Sequence, residues 1–135
     1  MLTNSRDFVF NVDREEMLNV MKYNADMVKA EKKPTILHSE NGKLYSFLRT
    51  SRYETFDEIE AKNLTMNDDL FIGFNSHYLV DVLSIVDSDK PVFRGSKRNA
   101  PMFIDGNEYS FLILPVNVNG GNDIESLKKQ LDRAA

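Results

Sequence analysis

Apolar and polar residues alternate from Phe8 to Val12 (FVFNV), the period of a strand with one buried face. Asp13 follows, with Glu16 three residues on. That pair predicts a helix start in which each side chain satisfies the other's free backbone N–H. Met17, Met21, Ala25 and Val28 then recur at helical spacing, and Pro34 ends the segment. Thr35 to Ser39 and Leu44 to Thr50 read as strands flanking Asn41-Gly42, a dipeptide suited to the positive φ angles of a tight hairpin turn. Arg52 to Ala61 alternates less cleanly and reads as a third strand, with Asn63 to Asp69 as a polar connection. The order then recurs: an apolar strand from Leu70 to Phe74 and a helix from Ser76 to Val86 carrying Leu79, Val82, Leu83 and Val86 on one face. Strands follow at Pro91 to Gly95, Pro101 to Ile104 and Tyr109 to Val118, the last two joined through Asp105-Gly106-Asn107.

Strand, helix and three strands thus occur twice, over 8–61 and 70–118, which predicts two halves related by a pseudo-twofold. Two helices packed on antiparallel sheet make the expected fold class α+β. Residues 1–118 are expected to form one domain, with the polar first seven residues as a frayed end. Residues 119–135 are expected as a polar tail in which Asp123 to Ala135 can form a short amphipathic helix. After the Gly/Asn-rich stretch 117–122, its apolar stripe of Ile124, Leu127 and Leu131 is too narrow to support a helix alone.

A length of 135 residues fits one domain, and 41% apolar residues suffice for one core. The chain carries no apolar run long enough to span a bilayer and no leader pattern, so a cytoplasmic location is expected, with no membrane partner. With no cysteine there is no disulfide, thiol nucleophile or thiolate metal site. The net charge of −4 weakens tight DNA binding, because phosphate neutralisation needs a basic surface. Acids concentrate at Glu54, Asp57, Glu58, Glu60, Asp68 and Asp69, and bases at Arg14, Lys22, Lys29, Lys32 and Lys33 and again at Arg94, Lys97 and Arg98. His38 and His77 have no ligand-spaced partner, and no nucleophile–base–orienter set is visible, so neither enzyme activity, metal nor cofactor is expected.

The stretch Leu70-Phe71-Ile72-Gly73-Phe74-Asn75-Ser76-His77-Tyr78-Leu79-Val80-Asp81-Val82-Leu83 resembles the third domain of the bacterial DNA polymerase III β subunit, the sliding clamp. That family runs as an apolar strand, Gly-Phe-Asn, two variable residues, Tyr-Leu, and an Asp-x-Leu helix. Tyr109 to Val116 (YSFLILPV) is similar to its last strand, which ends in an apolar residue, Pro and another apolar residue. The likeness is sharpest over 70–118.

What the resemblance implies is a binding and scaffold function in DNA replication. Clamps form rings of six such domains, with helices lining the hole and sheets on the rim, and polymerases and repair proteins dock short peptides beside the third domain. The matching positions here are Met21, Tyr78, Met102, Leu114, Pro115 and Val116. Lys22, Lys29, Lys32 and Lys33 are the expected DNA-facing residues, acting by non-specific attraction to double-stranded DNA. The other implied partners are further clamp domains or copies of the chain itself. By pattern alone the apolar positions among these are ordinary core positions and the lysines a solvated helix face. The chain departs from the family in having one domain instead of three, Asn117 where Arg is frequent, and residues continuing past Val118. A stand-alone module that captures clamp-binding peptides without enclosing DNA is therefore the alternative reading. The tail also contains Gln130-Leu131-Asp132, similar to the start of a clamp-binding peptide, which raises the expectation that it docks in the domain's own cleft or a neighbour's.

Overall fold

The computed structural model describes residues 7–28, 33–66, 70–96, 100–116, 118 and 121–134. The expected frayed end therefore lies mostly outside the described residues. The elements run β1 (Phe8–Val12), α1 (Arg14–Val28), β2 (Thr35–Glu40), β3 (Lys43–Arg49), β4 (Glu54–Ile59), β5 (Ala61–Met66), β6 (Phe71–Phe74), α2 (Ser76–Ile85), β7 (Val92–Gly95), β8 (Met102–Asp105), β9 (Ser110–Ile113) and α3 (Gly121–Ala134). They build two antiparallel sheets, one ordered β5-β1-β7-β8-β9 and the other β4-β3-β2-β6.

The predicted halves are present, and each lends its first strand to the other's sheet: β1 pairs with β7, and β6 pairs with β2. Alternation explains how the core closes. Phe8, Phe10 and Val12 on β1 and Ile72 and Phe74 on β6 meet Met17, Met21, Leu79 and Leu83 from the helices in one buried cluster. Asn41 and Gly42 take φ angles of 54° and 77° at the β2–β3 turn, as the dipeptide predicts.

Within this core lies a polar knot. Asn24 of α1 donates from Nδ2 to Thr35 Oγ1 and Ser46 Oγ and accepts at Oδ1 from Thr55, while Thr35 shares a further bond with Ser76. All five residues are buried, and their mutual bonds remove the cost of hiding polar groups from water. The knot ties α1 to β2, β3 and β4 and reaches α2.

Three expectations need correcting. Arg52 to Ala61 is not one strand. β4 ends at Ile59, and Ala61–Met66, expected as connection, is β5 in the other sheet. The remaining connection residues 67–69 lie outside the described residues. Tyr109 to Val118 likewise divides, with β9 ending at Ile113 and Val116 forming a single bridge to Gly73 of β6. Finally, Asp13 and Glu16 do not cap reciprocally. Asp13 accepts from the Glu16 N–H, but the Glu16 carboxylate accepts from the backbone N–H of Glu60, between β4 and β5.

The tail is a helix, and it packs onto the domain. Leu127 is 2% exposed and clusters with Ile36 and Phe47, alongside Phe56, Phe71, Val118 and Leu131. These strand positions alternate with the inward-facing Leu37, Leu44 and Ile72, so α3 covers the face of its sheet opposite α1 and α2. The Ile124 side chain lies outside the described residues.

Candidate functional site

Both halves send a chain from one sheet to the other after their last hairpin strand, and the site forms at the second of these crossings. In the first half the crossing passes Glu60 into β5, which pairs with β1 from Ala61 opposite Val12 to Met66 opposite Phe8. In the second half it runs Leu114-Pro115-Val116, and the Val116 N–H donates to Gly73 O at 2.9 Å. Pro115 has no N–H to give a ladder, which suits a chain that is leaving a sheet. Gly73 permits the approach: a Cβ there would lie 2.8 Å from Val118 Cγ2 and 3.3 Å from Val116 O.

The helix starts are equivalent as well. Asp13 caps α1 and Asn75 caps α2, its Oδ1 accepting from the His77 N–H. Three residues beyond each cap stand Glu16 and Tyr78. Glu16 reaches the first crossing at Glu60, and Tyr78 holds the corresponding position beyond the second cap. Tyr78 is 59% exposed, Leu114 64% and Val116 41%, with Pro115 half-buried. Tyr78, Leu114 and Val116 are thus large apolar side chains that water solvates poorly.

The other predicted pocket residues are placed differently. Met21 and Met102 are each 0% exposed and belong to the core, so they offer a ligand no surface. Helical spacing on α1 and alternation on β8 turn both side chains inward. Of the predicted DNA-facing residues, Lys22 and Lys33 are exposed, while Lys29 and Lys32 lie outside the described residues. Around Lys22 the solvent side of α1 holds Glu15, Glu16 and Asp26, and that of α2 holds Asp81.

Arg94 is committed elsewhere. It bonds Asp105 through Nε at 2.6 Å, lies 4.3 Å from the centre of the Phe103 ring, and so braces the outer face of the β7–β9 sheet. Burial pushes the Asp105 carboxyl up, but hydrogen bonds from Arg94 and Ser110 outweigh it and hold the group below its usual value. Lys97 and Arg98 lie outside the described residues, as do Asp68 and Asp69.

Sequence reasoning missed a second surface. A groove of about 450 Å³ runs between Asn19, Val20 and Tyr23 of α1 and Glu54 to Asp57 of β4, along the free edge of that sheet. Burial there raises the Asp57 carboxyl above its ordinary value. The signal available in sequence was Tyr23, an aromatic off the apolar stripe of its helix and 55% exposed. His38 is half-buried, its Nδ1 bonded to Leu70 O at 2.9 Å, and His77 is exposed. Among the described residues no group of three His, Cys, Asp or Glu could hold a metal ion, and no helix is long and apolar enough to cross a membrane.

This arrangement can be compared with known proteins. No curated protein matches the chain. A DNA polymerase III beta subunit from Eubacterium rectale matches 87% of the chain with a TM-score of 0.77 and 27% identity. A sliding clamp from Bartonella birtlesii, solved bound to griselimycin, matches the same share with a TM-score of 0.73 and 27% identity. The beta chain from Streptococcus pneumoniae, 19% identical, has the same fold at a TM-score of 0.76 over 87% of the chain. In each case the match covers 32% of the solved chain, so this chain spans about a third of their length. The family described as DNA polymerase III beta subunit, C-terminal domain, matches residues 2–116. The chain belongs to that family, the C-terminal domain of the DNA sliding clamp.

Proposed function

We propose that the chain acts as a DNA replication processivity domain, without catalysis of its own. In this reading it docks polymerase and repair-protein peptides at Tyr78, Leu114, Pro115 and Val116 and contributes one segment of a ring around double-stranded DNA. The observation that carries the docking reading is the exposure of Tyr78, Leu114 and Val116 at a crossing whose counterpart in the other half is closed by Glu16 and a full strand. An exposed aromatic beside apolar side chains suits an extended apolar peptide. Griselimycin bound to the Bartonella clamp gives the test a ligand.

Ring formation draws support from the free edge of β4 and the groove beside it, where a neighbouring domain or a second copy could add a strand. DNA would then be enclosed more than gripped. Lys22 and Lys33 offer phosphate attraction, but Glu15, Glu16 and Asp26 on α1 and Asp81 on α2 offset it. That same acidity favours the second reading, a module that binds clamp-binding peptides without enclosing DNA.

Two measurements separate these outcomes. Titrating the chain with griselimycin should give saturable binding that Tyr78→Ala weakens about tenfold or more. No binding, or equal binding by the variant, would remove the docking site. Light scattering over a range of concentrations, alone and with the other clamp domains, should give a defined ring mass. A monomer throughout would leave the module as the function.

A further inference from the structure

We infer that α3, which lies beyond the matched family region 2–116, is a strap that fixes the Leu114–Val116 wall of the docking site. This rests on the docking reading above. The first crossing is held by a ladder along β5 and by Glu16, whereas among the described residues the second has one bridge, Val116 to Gly73. A chain held at a bridge, where β5 has a full ladder, opens more readily. Two residues on, Val118 packs with Leu127 and Leu131 of α3 against Ile36, Phe47, Phe56 and Phe71. Its methyl group also sits over Gly73, at the position a Cβ would contest at 2.8 Å. The chain is thus gripped on the far side of the bridge by a helix the first half lacks.

The far end of α3 is held too, with Gln130 Nε2 donating to Glu54 Oε1 at 3.1 Å, at the start of the edge strand β4. The Gln130-Leu131-Asp132 segment therefore lies on the outer sheet face, away from Tyr78, and serves as the strap's anchor. When α3 lifts, Val118 loses its packing, and among the described residues the Val116–Gly73 bond is what still holds the wall. Peptide affinity then falls by the fraction of time the wall is out of place.

The test compares the full chain with a chain ending at residue 118, by hydrogen exchange and by titration with griselimycin. The strap predicts that without α3 the Val116 amide loses its protection while the β1 and β7 amides keep theirs, and that affinity falls about tenfold, the wall then being in place about a tenth of the time. Unchanged Val116 exchange in a folded truncated chain overturns the strap. So does faster exchange with unchanged affinity. If truncation prevents folding, Leu131→Asp, which loosens α3 from Val118 and leaves Gly73, Val116 and the buried Leu127 untouched, decides on the same two readouts. A full chain that binds no griselimycin defeats the docking reading, and the exchange of Val116 still reports on the strap by itself.

Discussion

The two sheet crossings start from the same plan and end differently. At the first, Glu16 accepts from Glu60 N–H, and β5 continues for six residues along β1. At the second, a tyrosine replaces the acid, a proline interrupts the ladder, and among the described residues one bridge remains. The first crossing is closed by the Glu16–Glu60 bond and the β1–β5 ladder. The second leaves Tyr78, Leu114 and Val116 open to solvent. The difference teaches that a binding surface can arise where one copy of a repeated unit gives up its own closing contacts, provided something else holds the chain.

Five substitutions probe that comparison. Leu127→Asp should have the largest effect, undocking α3 and exposing Ile36 and Phe47, at a cost of about 3 kcal/mol in urea denaturation. A loss under about 1 kcal/mol would mean that α3 contributes little to closing the second half. Asn24→Ala empties the centre of the buried knot and leaves the hydroxyls of Thr35, Ser46 and Thr55 short of partners. It should cost about 2 kcal/mol, and a neutral result would show that the first half does not depend on the knot.

Glu16→Ala opens the first crossing at Glu60, an exposed bond, and should cost about 1 kcal/mol or less. Creation of a griselimycin site at the first crossing by Glu16→Tyr would show that the residue beyond the cap alone decides which crossing binds.

Asp57→Asn should have the smallest effect, and one that depends on pH. Burial raises the Asp57 carboxyl, so ionising it in the folded chain is unfavourable. The folded state holds that proton more tightly, so stability falls as pH rises from 3.8 through the raised value, and the cost is complete above it. The variant should therefore melt slightly higher at neutral pH, by less than about 2 °C, and match the parent below pH 3.8. Asp105 titrates in the opposite sense. Its lowered carboxyl stabilises the fold above the ordinary value and loses that contribution as pH falls through the depressed one.

Much of the fold was legible because the pattern was strong. Phe8, Phe10 and Val12 alternate cleanly, Met17 and Met21 keep helical spacing, and Asn41-Gly42 dictates its turn. β5 was hidden for a physical reason. Asn63 sits at φ 55° where the β1–β5 register shifts, so the strand loses its period of two, and Lys62, Asn63 and Thr65 face water at the sheet edge. The docking of α3 left a trace in β3, where Leu44 to Leu48 are buried without interruption. A strand covered on both faces reads that way, but its second cover lay some eighty residues along the chain, beyond the reach of local pattern. At the site, Tyr78, Leu114, Pro115 and Val116 came from the resemblance alone. Met21 and Met102 were carried over with them, although their spacing already marked them as core.

The exchange of first strands between the halves has a kinetic side. Phe8 lies opposite Gly95, so β1 finds its place only after most of the chain has been made. Neither half encloses a core of its own, since Phe10 packs with Phe93 of the other half. Such long-range pairing favours slow folding in a single cooperative step. Two polypeptides divided between Met66 and Leu70 should each remain unstructured alone and recover the whole fold only when mixed.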